Sequence, residues 1–241
     1  MSLLEVRGVG KSFAGLRALH NVSFSVEAGE ILGIMGANGA GKTTLFSLIA
    51  GHQLPSEGSI EFEGQSLIGL RPDRICRRGI ARTFQIVRPF AGLRVLENVE
   101  TALLFGGGHA PDTLTGLASQ ILEDVGLAQQ ASKLAGALTL SDRKRLEVAR
   151  AIGTRPRLLL LDEVMAGLTP TEVAQMLETI KRVQAKHDLS VIVVEHVVRA
   201  LVELSDRIIV LHHGELIATG SPREISEHPE VLLAYFGEKA G

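Results

Sequence analysis

Ile31-Leu32-Gly33-Ile34-Met35 runs without a polar side chain into Gly36-Ala37-Asn38-Gly39-Ala40-Gly41-Lys42-Thr43, and Thr44-Leu45-Phe46-Ser47-Leu48-Ile49 follows. A continuous apolar run of this length reads as a strand covered on both faces. Leu45, Leu48 and Ile49 recur at helical spacing. The glycine-rich piece between fits the Walker A spacing, with the strand before it and the helix after it that the motif requires. Glycines let such a loop wrap close to a polyphosphate, so that backbone N–H groups and the helix N-terminus face its oxygens. Gly36, Asn38, Gly39, Ala40 and Gly41 would line that cradle. Lys42 would reach the β- and γ-phosphates, the Thr43 hydroxyl would hold Mg2+, and Thr44 would touch the α-phosphate. A glycine turn that binds nothing is the plain alternative, and the context on both sides argues against it. Taken alone, the loop distinguishes no further than ATP or GTP.

A second apolar strand, Leu158-Leu159-Leu160-Leu161, ends in Asp162-Glu163. A buried strand that finishes in two acids invites a functional reading, because unpaired buried charge is costly. Asp162 would orient Mg2+ through water, and Glu163 would polarise the water that attacks the γ-phosphate in line. Solvated acids at a strand edge are the bland reading. The order of the two motifs along the chain favours the first.

Working outward, residues 191–194 and 208–211 repeat the continuous apolar pattern, whereas residues 3–9, 22–26 and 59–62 alternate like half-buried strands. The first group predicts a parallel α/β core and the second an antiparallel sheet. From about residue 87 to 150 the pattern changes. Leu93, Leu96, Val99, Leu103 and Leu104 fall at helical spacing, which predicts a helical subdomain inserted into a single domain spanning 1–241. Gly106 to Gly108, followed by His109, Ala110 and Pro111, reads as a connection between its helices. Thr169-Pro170-Thr171-Glu172 predicts a capped helix start, with Pro170 at the first helical position and a helix to about Lys186.

Composition narrows the classes. The chain has 241 residues, 45% of them hydrophobic, only 4% aromatic and none of them Trp, so the core must be built mainly of Leu, Ile, Val and Ala. A net charge of -2 argues against a grip on nucleic acid, which usually needs a basic excess. Cys76 is the single cysteine, so there is no internal disulfide and no cysteine cluster for zinc. The opening residues lack a leader pattern. The apolar runs fall far short of the ~20 residues of a membrane helix, so any membrane role is expected to come through a partner.

Several further motifs fall in order, and together they resemble the ATP-binding cassette (ABC) family over essentially the whole chain. The resemblance implies an ABC-type P-loop NTPase: a mixed α/β core, an antiparallel β subdomain and an inserted helical subdomain. It implies that Gln85, in Ala81-Arg82-Thr83-Phe84-Gln85, is the Q-loop glutamine that touches Mg2+ and couples the site to a transmembrane partner. His196, after Val191-Ile192-Val193-Val194-Glu195, looks like the switch histidine of the γ-phosphate. Ala166-Gly167-Leu168-Thr169-Pro170 looks like the D-loop, and Phe13 stands where the family keeps an aromatic to stack on adenine. Gly79 to Gln85 with Arg88-Pro89-Phe90, and the ending from Pro229 through Tyr235-Phe236-Gly237-Glu238, resemble the ATPase subunits of branched-chain amino acid importers. That likeness implies ATP and Mg2+ as cofactors and the cytoplasmic face of the membrane as location. The implied partners are permease subunits, a second ABC ATPase and, indirectly, a solute-binding protein. A lipopolysaccharide-export ATPase, a non-transport cassette protein and a subunit that binds ATP without turning it over remain as alternatives.

One motif departs from the family. The helix Lys144-Arg145-Leu146-Glu147-Val148-Ala149-Arg150-Ala151 is intact, but the signature before it, LSGGQ or a close relative in the family, reads Leu138-Thr139-Leu140-Ser141-Asp142. In the family this segment caps the γ-phosphate on the opposite subunit. Ser141 narrows the close approach that glycine allows. Asp142 brings a negative charge toward a negative ligand unless it caps the helix and points away. The expectation is a heterodimer with one good site and one poor one, a homodimer being the alternative. Ala37 and Val164, where proline is common in the family, are expected to be tolerated.

Overall fold

The computed structural model describes residues 2–83, 88–108 and 110–236. In chain order the elements are β1 (Ser2–Phe13), β2 (Leu16–Glu27), β3 (Ile31–Met35), α1 (Lys42–Ile49), β4 (Glu57–Phe62), β5 (Gln65–Ser66), α2 (Pro72–Arg77) and β6 (Ile80–Arg82). Then come α3 (Val95–Phe105), α4 (Leu114–Asp124), α5 (Leu140–Gly153), β7 (Leu158–Asp162), α6 (Pro170–Lys186) and β8 (Ser190–Val194). The chain continues with α7 (Val198–Leu204), β9 (Arg207–His212), β10 (Glu215–Gly220), α8 (Pro222–Glu227) and α9 (Pro229–Phe236). They group into two compact units, one of Met1–Pro72 with Ile192–Gly241 and the other of Asp73–Val191.

In the first unit β1 pairs antiparallel with both β2 and β4, giving the order β2-β1-β4-β5. The alternating pattern thus does mark an antiparallel sheet, although its strands run several residues beyond the alternation because register shifts interrupt the period of two. The continuous apolar run of β3 is buried along its whole length and pairs parallel with β9, Ile34 opposite Ile209. β10 returns antiparallel to β9 through His213-Gly214, both at positive φ. β5, β6 and β10 escape sequence reading. β5 and β6 are too short to show a period, and β10 carries no clean alternation.

The second unit pairs β6 parallel with β7, Ala81 opposite Leu159. Its helices pack through Val95, Val99 and Leu103 of α3, Ala118 and Leu122 of α4, and Leu146 and Ile152 of α5, all buried. Each large aliphatic side chain so buried contributes roughly 1.5–3 kcal/mol. α6 begins as its sequence predicts. Thr169 caps it, Pro170 opens it, and the Thr169 N–H donates to Glu172 Oε2 at 2.9 Å. At its other end Lys186 Nζ donates to Asp124 Oδ1 at 2.6 Å, and His187 Nε2 lies 2.9 Å from Asp124 Oδ2. Arg182 Nε donates to the Asp124 carbonyl at 2.7 Å, so the end of α4 is clamped to the end of α6. Among the described residues the fully buried aromatic side chains are Phe46 and Phe62, and the apolar side chains buried around them are aliphatic or Met.

Candidate nucleotide site

The glycine loop sits between β3 and α1, and its shape is set by close backbone approach. A Cβ on Gly36 would lie 2.6 Å from the Leu211 carbonyl oxygen and 2.9 Å from Ala40 Cβ, so no larger residue fits there without movement. Gly41, which precedes the first residue of α1, holds φ at 104°, a left-handed value that only glycine adopts freely. The β9–β10 turn buttresses the loop from outside. Gly214 N–H donates to the Ala40 carbonyl at 3.1 Å, and the Gly214 carbonyl accepts from His20 N–H at 2.8 Å. Sequence reading did not anticipate this support, which joins residues nearly 200 positions apart.

Lys42 is buried at 5% exposure, and its ammonium donates to the carbonyls of Gly36 at 2.6 Å and Ala37 at 3.0 Å. The cation is therefore folded back over the loop. A polyphosphate oxygen would be a stronger acceptor for it than a carbonyl, because donor and acceptor would then both carry charge. Asn38, Gly39 and Thr43 are exposed, and Thr44 is half-buried. α1 has no acidic residue in its first turn, and the first N–H groups of any helix lack intrahelical acceptors. Cradle, cation and helix N-terminus together fit an anionic, phosphate-bearing ligand.

Phe13 ends β1 with 39% of its surface exposed, and Lys11 Nζ lies 5.0 Å from its ring centroid. His196 is exposed, directly after the buried β8 and the buried Glu195.

In the second unit β7 carries its apolar residues and Asp162 entirely buried. The Asp162 carboxylate accepts from Arg82 Nη2 at 2.7 Å, in an ion pair whose side chains are 10% and 3% exposed. Its N–H donates to Thr83 Oγ1 at 3.0 Å, while Thr83 N–H donates to the Leu160 carbonyl at 2.9 Å. Neither Arg82 nor Thr83 was singled out for this task from sequence. The usable signal was that an acid ending a buried strand needs a cation, and nothing local says which of the 25 lysines and arginines supplies it.

Glu163 follows with φ at 52°, in the left-handed region, at 8% exposure. A non-glycine residue held there costs about 1–3 kcal/mol and persists only if its surroundings fix it. Its carbonyl accepts from Ala166 N–H at 3.2 Å and from Lys144 Nζ at 2.8 Å. Lys144 is the third residue the sequence reading passed over. A charged residue on the buried stripe of α5, in line with Ser141, Val148 and Ala151, was the available sign.

The altered signature is the start of α5. Thr139, and not Asp142, caps the helix, its hydroxyl accepting from Asp142 N–H at 3.2 Å. Asp142 lies in the first turn and does not cap the helix. Ser141 is 5% exposed. Leu140 stands beside the loop after β7, its Cδ2 3.3 Å from where a Cβ on Gly167 would be. Phe90 is 46% exposed and rigidly mounted: its backbone N–H donates to Asn98 Oδ1 at 2.9 Å, and Arg150 stacks 4.8 Å from its ring centroid. Burial pushes the Arg150 guanidinium below its ordinary pKa, and the Glu147 carboxylate opposes that shift. Gln85 lies outside the described residues.

Comparison with known proteins agrees with this architecture. Residues 19–166 match the family described as ABC transporter, and residues 215–241 match one described as branched-chain amino acid ATP-binding cassette transporter. The chain is 38% identical to the high-affinity branched-chain amino acid transport ATP-binding protein LivG of Salmonella typhimurium, over 98% of both chains. It is 36% identical to BraF of Pseudomonas aeruginosa over the same shares. The lipopolysaccharide export system ATP-binding protein LptB of Haemophilus influenzae is 30% identical over 99% of both. Among solved structures, a nucleotide-free ATP-binding cassette from an ABC transporter superposes with a TM-score of 0.88 at 28% identity, over 99% of this chain and 100% of that one. A dimeric bacterial ABC transporter cassette superposes with 0.81 at 25% identity, over 91% and 99%. Among the described residues no helix is long and apolar enough to cross a membrane. With its mixed α/β fold and a family match covering more than half its length, the chain belongs to the ABC transporter family as one of its nucleotide-binding, ATP-hydrolysing cassettes.

Proposed function

We propose that this chain powers an importer of branched-chain amino acids or a related small solute from the cytoplasmic face of the membrane. The observation that carries the reading is the match of residues 215–241 to the branched-chain family, on top of near full-length likeness to LivG and BraF. In this reading Lys42 exchanges its loop carbonyls for β- and γ-phosphate oxygens. The loop N–H groups from Gly36 to Thr44 hold the remaining oxygens, and Phe13 stacks on adenine. Thr43, Gln85 and Asp162 offer hydroxyl, amide and carboxylate oxygens, the hard donors that suit Mg2+, which when bound supplies charge neutralisation on the phosphates. Glu163 takes a proton from the attacking water, and His196 steadies the γ-phosphate. The helical stretch of about 87–150 serves as the subdomain that meets the permease, with the rigid, exposed Phe90 as a natural contact.

ATP then draws this cassette against a second one, and hydrolysis lets them part. The partner is a different ATPase, because Ser141 and Asp142 weaken the site that this chain's signature completes. The solute-binding protein acts only through the permease. Mg-ATP hydrolysis measured against protein concentration tests this, with Glu163→Gln and Ser141→Gly beside the wild type. Glu163→Gln should lower turnover by about 10²–10⁴. Slow wild-type turnover rescued by Ser141→Gly supports the heterodimer. Fast wild-type turnover that rises more steeply than linearly with concentration refutes it. For the solute, ATPase activity of the membrane complex should rise with leucine-loaded binding protein, and indifference to leucine, isoleucine and valine would discard the amino-acid assignment.

A further inference from the structure

Lys144 ties two parts of the site that no motif connects. It projects from the buried stripe of α5, is 4% exposed, and its ammonium donates at 2.8 Å to the backbone carbonyl of Glu163. That carbonyl belongs to a residue with φ at 52°, and it also closes the turn that follows β7 by accepting from Ala166 N–H. The direction in which Glu163 presents its carboxylate depends on keeping this unfavourable backbone conformation. A charge-assisted bond from a buried lysine is a strong way to keep it. The same lysine lies little more than one helical turn from Thr139, which caps α5, and from Ser141 and Asp142, which open it.

We propose that Lys144 is the positioning residue for Glu163, and that through it the N-terminus of α5 governs the alignment of the hydrolytic carboxylate on its own chain. Docking at the signature end of α5 tilts or steadies the helix, and the Lys144 bond passes that change to the Glu163 turn. The two ends of the chemistry are thus coupled within one subunit, over a path of one helical turn and one hydrogen bond. The proposal rests on the reading of Glu163 as the group that activates water.

The test compares wild type, Lys144→Met and Lys144→Arg as full chains, with turnover read in the assembled membrane complex and exchange and ATP binding read on the chain itself. Methionine keeps the apolar stem and removes the donor, and arginine keeps a donor. Lys144→Met should speed amide hydrogen exchange in the 163–166 segment by about tenfold or more, the factor that goes with one lost bond to a charged group. ATP affinity measured by calorimetry should stay within about twofold. Turnover should fall about 10²-fold in kcat with KM little changed, as expected when a reacting group is displaced by ~1 Å. Lys144→Arg should restore most of both effects. Unchanged exchange at 163–166 in the methionine variant overturns the proposal. So does a kcat loss matched by an equal loss of ATP binding or by global unfolding in a thermal melt, which would mark Lys144 as merely structural. Glu163→Gln run alongside separates the two ideas. If it leaves turnover intact, the role of Glu163 falls, while the exchange result still decides whether Lys144 holds the turn.

Discussion

Replacing Arg82 by Met strands the Asp162 carboxylate. The two side chains are 10% and 3% exposed and 2.7 Å apart, so water cannot substitute for the guanidinium as it does at a surface. Removing one partner of such a buried pair costs about 3–5 kcal/mol, because the remaining charge stays buried and uncompensated. For a chain of this size each kcal/mol moves the melting temperature by ~2–4 °C. Arg82→Met should therefore lower it by about 6–20 °C in a nucleotide-free thermal melt. The double variant Arg82→Met, Asp162→Leu removes both charges and should recover most of the loss, since apolar replacements of a buried pair are often neutral or better. A drop of only ~2–4 °C, the scale of an exposed pair, would refute the argument. A double variant as unstable as the single one would trace the loss to the packing of the arginine stem and not to the stranded charge.

The same geometry yields further expectations. Gly36→Ala places a methyl 2.6 Å from the Leu211 carbonyl oxygen; the loop must move, costing about 1–3 kcal/mol. ATP affinity by calorimetry should fall with it, and unchanged affinity would show that the close approach is unnecessary. Thr169→Ala removes the cap of α6 and should cost about 1 kcal/mol in a urea titration. The Thr169 N–H, aided by its hydroxyl, holds the Glu172 carboxyl below the ordinary carboxylate range. A carboxyl depressed in the folded state stabilises above its unfolded value of ~4.3 and loses that contribution as pH falls through the lower folded value. Glu172→Gln should accordingly flatten the acid limb of the stability curve, and an unchanged limb would contradict the capping assignment.

How much of the molecule could be read from its sequence follows from the range of the forces involved. The strand-loop-helix of residues 31–49, the acid-tipped β7 and the capped start of α6 are local: their patterns repeat every two or 3.6 residues, and the chemistry sits at fixed offsets of a few positions. The short strands β5 and β6 are local too, yet two or three residues cannot display a period.

By itself the sequence determined the glycine-rich loop between β3 and α1, the carboxylates at the end of β7, the class of fold and the family, because each depends on neighbours along the chain or on motif order. Only the tertiary structure decided that Arg82 neutralises Asp162, that the Gly214 turn braces Ala40, and that Lys144 grips the Glu163 carbonyl. These partners lie from 19 to more than 170 positions apart. Which cation meets a buried acid, or which amide a loop carbonyl, is settled by burial forcing polar groups to find partners in space, and a linear pattern carries no record of that choice.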